Sequence, residues 1–110
     1  MRHLDGIYYR VMRNERWTNV CFTDLESHEV EDVLRSKSIE WLQSLYEELC
    51  NVLDDVLNVL EQDNISTSYY RDVLADISDY TSTLIKIYLI RSLIRLVANE
   101  HDIRRDNEEC

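Results

Sequence analysis

Twenty-two carboxylates, three histidines and three cysteines are the groups in this 110-residue sequence that could move a proton, hold a metal or attack a substrate. The histidines stand far apart. His3 lies near the N-terminus, His28 follows Asp24 by four positions, the spacing of an ordinary surface pair on a helix, and His101 closes the last apolar stretch. Neither a His-Glu-x-x-His run nor the Glu-x-x-His pair of carboxylate-bridged metal sites occurs. Cys21, Cys50 and Cys110 are odd in number and widely spaced, so neither a zinc site nor a disulfide framework is indicated. Cys21 and Cys50 read as small buried apolar residues, and Cys110 as an exposed terminal thiol. With Gly6 as the single glycine and no proline, the chain also lacks the material of phosphate-cradling loops. No catalytic residue, metal or cofactor is expected.

The carboxylates do show a pattern. Glu40, Glu47, Asp54 and Glu61 recur every seven residues, about 10.5 Å apart on a helix, with Glu48 and Asp55 beside them. Residues 24–63 carry a net charge of −10, equal to that of the whole chain; residues 1–23 carry +2 and residues 64–110 carry −2. Such a ribbon can be a solvated outer face that keeps the chain soluble. It can also be a surface addressed to a basic protein partner, steering association or filling a groove that otherwise receives phosphates. The expected function is that of a small acidic regulatory or inhibitory binding protein acting through Glu40, Glu47, Glu48, Asp54, Asp55 and Glu61, and not an enzyme; a structural or antitoxin-like helical subunit that binds through its apolar helix is an alternative. Direct nucleic-acid binding is not expected, because there is no basic stripe. Arg2, Arg10, Arg13 and Arg16 near Tyr8, Tyr9 and Trp17 form one basic, aromatic cluster, which reads as ordinary surface.

Two short stretches resemble known sites. Arg95-Leu-Val-Ala-Asn-Glu-His101 resembles the Arg-x(4–6)-His motif of the helical HEPN ribonucleases, departing from it at Leu96, where a polar residue is usual. The resemblance implies Arg95 and His101 acting together at a phosphate in a dimer cleft; the alternative is that both cap a helix end. Glu26-x-x-Glu29 and Asp76-x-x-Asp79 have the spacing of carboxylate pairs in helical magnesium-dependent nucleotide pyrophosphatases, but nothing in the sequence aligns the two pairs.

The elements that must position these groups follow from periodicity. Residues 7–23 are aromatic and β-branched on both sides of Arg13-Asn14-Glu15-Arg16, the pattern of a β-hairpin with Ile7, Tyr9 and Val11 on one face and Val20 and Phe22 on one face of the return. Thr23-Asp24-Leu25-Glu26 has the form of a capping box opening a short helix over 24–35. After a break at Ser36-Lys37-Ser38, an acidic helix spans 38–62 with a heptad-like seam of Leu42, Leu45, Leu49, Val52, Val56 and Val59, widened by Tyr46, Leu53 and Leu60. A single apolar helix is expected over 68–102, with Arg91 interrupting its seam and a tail over 104–110. The fold class is therefore mainly α: an N-terminal hairpin, then a short helix plus two long antiparallel helices in one domain.

From Leu84 to Ala98 the apolar residues spread round the whole helix, and such a helix must be covered all round. Ile85, Tyr88, Leu89, Leu93 and Leu96 are the expected self-association or partner surface, with a homodimer as the expected state. The same stretch is too short, and with Lys86, Arg91 and Arg95 too charged, to span a membrane. No secretory signal pattern is present, so a cytoplasmic location is expected.

Overall fold

The computed structural model describes residues 7–35 and 37–101. His3, Arg2, Cys110 and the tail expected over 104–110 lie outside the described residues. The chain is mainly helical behind an N-terminal hairpin of β1 (Tyr8–Arg13) and β2 (Arg16–Cys21). Tyr9 stands opposite Val20 and Val11 opposite Thr18 on the inner face, while Met12 stands opposite Trp17 on the outer one. A two-residue turn joins the strands. Asn14 (φ 51°) and Glu15 (φ 64°) both take the left-handed conformation that matches strand twist, without the glycine usually placed there. Tyr9 meets Phe22 and Trp41 edge-on, with ring centroids 6.0 and 6.4 Å apart, and this fastens the hairpin to the helices.

A 3-10 turn over Phe22–Asp24 follows, then α1 (Ser27–Leu34), α2 (Ile39–Gln62), α3 (Ser68–Ser78) and α4 (Thr83–Glu100). The first helix opens one turn later than the sequence suggests. Phe22, Thr23 and Leu25 are buried, so Thr23 is not free to cap; Glu26 takes the cap position, and its N–H donates to Glu29 Oε1 at 2.8 Å. Ser38 caps α2 by accepting from Trp41 N at 3.1 Å. At its other end Asn64 (φ 63°) does the work of a C-terminal glycine, and Ile65 N donates back to Leu60 O at 3.0 Å.

The core seam of α2 differs from the expected one beyond Leu49. Leu42, Leu45, Leu49, Leu53, Leu57 and Leu60 are buried, Val52 and Val56 are half-buried, and Val59 is 56% exposed. Eighteen residues in five steps give 3.6 per turn: a straight helix follows its leucines, where a seven-residue seam would require supercoiling.

The one long helix expected over 68–102 is two. Asp79–Ser82 turn the chain, and Ser82 caps α4 by accepting from Ile85 N at 3.3 Å. Folding back lets α3 lie along α4, covering apolar surface that a continuous rod would leave bare. On the opposite side α4 packs on α2 and the 3-10 turn through Ile87, Ile90, Ile94 and Val97. Arg91 does not break this face. It is only 5% exposed and donates through Nη2 to the carbonyl of Leu25, while Arg95 Nη1 reaches the same oxygen at 3.4 Å. Burial, and after it the nearby Arg95 charge, lowers the Arg91 pKa from its usual value.

No helix among the described residues is long and apolar enough to cross a membrane.

Candidate interaction surfaces

All six carboxylates of the expected ribbon, Glu40, Glu47, Glu48, Asp54, Asp55 and Glu61, are exposed, because the leucine seam of α2 turns inward. They do not share one environment. A straight helix rotates a seven-residue repeat by about 20° per heptad, so the ribbon winds round α2 instead of running along it. Its C-terminal end meets α3. There Arg71 donates to Glu61 Oε2 at 2.7 Å, to Asp54 Oδ1 at 3.1 Å and to Asn58 Oδ1 at 3.1 Å, and the Thr67 hydroxyl also bonds Glu61. Arg71 first, and then Thr67, hold the Glu61 carboxyl below the usual carboxylate range. Glu40, Glu47, Glu48 and Asp55 have no ion pair among the described residues. Glu40 and Glu47 line a cleft of about 380 Å³ with Tyr46, Thr83 and Lys86, whose ammonium lies 5.3 Å from the Tyr46 ring centroid.

The residues expected to form a self-association face are divided by the fold. Leu93 is buried in the core, Tyr88 and Leu89 are half-buried, and Ile85 and Leu96 stay 46% and 40% exposed. Between α3 and α4 lies a groove of about 300 Å³ lined by Tyr69, Val73 and Asp76 from α3, Tyr80 from the turn after it, and Leu89 and Leu96 from α4, among others. Nothing in the sequence marks this groove, because apolar periodicity runs on from α3 into α4.

No family model, curated protein or solved structure matches the chain.

Arg95 and His101, which resemble a ribonuclease pair, take different partners: Arg95 reaches back to Leu25, while His101 Nε2 lies 3.1 Å from the Tyr70 hydroxyl. Tyr70 also donates to Glu100, and that bond, with burial second, pushes its phenol up to about 12. This cluster ties α3 to the end of α4. Glu29 is engaged by Arg13, at 2.7 and 3.0 Å, and by the Glu26 N–H, so it closes a helix start and a hairpin together. Asp76 lines the α3–α4 groove, which Glu26 and Glu29 do not. Among the described residues no group of three or more His, Cys, Asp or Glu is placed to hold a metal. Cys21 is buried and Cys50 half-buried, and burial is the largest cause raising the Cys50 thiol pKa.

Proposed function

We propose that this protein is a small acidic binding protein, a regulator or inhibitor and not a catalyst, which engages a basic partner through the outer face of α2. The observation that supports the reading is the division within the ribbon. Arg71 answers Asp54 and Glu61 internally, while Glu40, Glu47, Glu48 and Asp55 remain exposed and unanswered among the described residues. Uncompensated charge of one sign on a rigid helix raises the encounter rate with an oppositely charged surface and disfavours partners of like charge. Four carboxylates on one straight helix can also occupy a groove shaped for phosphates, which makes a nucleic-acid-binding protein the natural target.

Affinity capture tests the reading. The wild-type chain and a Glu40→Lys/Glu47→Lys/Glu48→Lys/Asp55→Lys variant, both shown to be folded by circular dichroism, serve as baits. The wild type should retain a basic protein that the variant loses and that duplex DNA displaces. Equal retention by both baits contradicts the proposal.

A further inference from the structure

Two exposed surfaces of this chain pair apolar side chains with charges of opposite sign. The first is the outer face of the hairpin. Trp17 is 61% exposed and stands opposite Met12, 52% exposed, in the strand register. The Arg10 guanidinium lies 5.7 Å from the Trp17 ring centroid, and Arg16 is exposed next to Trp17 in the sequence. Glu15 at the turn is exposed beside them, and Asp32 of α1 lines a cleft with Arg10, Met12 and Trp17, but neither Arg10 nor Arg16 has an ion pair among the described residues. Arg13 belongs to the inner face, where Glu29 engages it.

The second surface is the α3–α4 groove. Its lining is mostly apolar, and Tyr69 (66% exposed), Tyr80 and Leu96 stand open to solvent. Asp76 lies in its lining, Asp72, four residues before it, falls on the same side of α3, and Asp79 caps the C-terminal end of that helix; both are exposed. Arg71, the one base on α3, points away to α2.

We infer that the hairpin face of one molecule docks in the α3–α4 groove of a second copy, with Trp17 as the anchor in the groove and Arg10 and Arg16 against Asp72, Asp76 and Asp79. A groove of about 300 Å³ has room for one or two large side chains but not for a whole helix, which favours an aromatic anchor on a hairpin. The outer face of α2 is the poorer acceptor: its large apolar residues that stay exposed are Ile39 and Val59, at its two ends, so Trp17 and Met12 would gain little burial there. The hairpin cannot serve its own groove, because Tyr9 fastens it to Phe22 and Trp41, and Arg13 fastens it to Glu29. Each molecule carries a charge of −10, and this mutual repulsion makes the association weak and dependent on salt.

The two halves of the joint are different surfaces, which gives the test its logic. Light scattering on the full chain at about 0.15 M salt, where the Debye length is about 8 Å, should show the mass rising above the monomer as concentration goes from about 10 µM to about 1 mM. Trp17→Glu and Asp76→Lys should each hold the mass at monomer. Both positions are exposed, so far-UV circular dichroism should not change; Leu96→Lys is the second groove variant if Asp76→Lys loses helicity. Mixed in equal amounts, the hairpin variant and the groove variant should regain a dimer, because each retains the surface that the other lacks. Charge reversal on α2 should leave the assembly in place. A wild type that stays monomeric through the range, association that survives Trp17→Glu, or a mixture that stays monomeric overturns the inference.

Discussion

Arg71 Nε sits 2.7 Å from Glu61 Oε2, so the one base on α3 answers the C-terminal end of the acidic ribbon on α2. The same guanidinium reaches Asp54, and this leaves the charge of α2 concentrated at Glu40, Glu47, Glu48 and Asp55. Arg71→Ala should therefore act on binding more than on folding. Exposed ion pairs add little stability, so the melting temperature should move by no more than about 2 °C. The association rate with a basic partner should rise about two- to five-fold at low salt, as two further carboxylates come free. Thermal melts and stopped-flow kinetics on the two proteins read both effects.

Glu29 makes stability pH-dependent in one direction. The hydrogen bond from Arg13 is the chief cause that lowers its pKa from 4.5, with burial opposing it. A carboxylate depressed on folding contributes fully above its unfolded pKa and loses that contribution as pH falls through its folded value. The wild type should thus lose stability below about pH 4.5 more steeply than Glu29→Gln. At neutral pH the substitution should cost about 2 kcal/mol, the worth of charge-assisted bonds at a largely buried group. Denaturant titrations at pH 7 and at pH 3.5 check both the offset and its convergence.

The leucine seam of α2 separates neighbouring residues sharply. Leu57 is fully buried and Val59 is mostly exposed. Leu57→Ala should destabilise the protein by about 3 kcal/mol through lost transfer energy and a cavity, while Val59→Ala should stay within about 0.5 kcal/mol. A seven-residue seam would place the larger cost at Val59, so equilibrium unfolding of the two variants decides between the geometries.

Much of the architecture is written locally. Alternating aromatic and β-branched residues define the hairpin, and Ser38 with Asp63-Asn64 bounds α2, because each signal concerns groups within a few residues of one another. The division of α3 from α4 is written only in Ser82, a cap without proline or glycine beside it, and apolar periodicity runs on through the turn. The cap of α1 moved for a tertiary reason: burial of Phe22, Thr23 and Leu25 removed Thr23 from the helix start, which no local pattern records.

The surfaces were legible in the same uneven way. Exposure of the six ribbon carboxylates follows from α2 being amphipathic. Pairing of two of them with Arg71 depends on how α3 folds back across α2, and the groove that exposes Leu96 exists only because α3 and α4 are separate helices. Arg91 looked like an interruption of an apolar face; it is a buried donor whose acceptor, Leu25 O, lies 66 positions away in the chain.

The central claim is that unpaired carboxylates on α2 draw in a basic partner. It is tested most directly by the association rate with the captured partner, measured between about 20 and 300 mM salt for the wild type and for the Glu40→Lys/Glu47→Lys/Glu48→Lys/Asp55→Lys variant. The account predicts a wild-type rate that falls about tenfold or more over that range and a variant rate that is slow throughout. Equal rates for the two proteins, indifferent to salt, would contradict it.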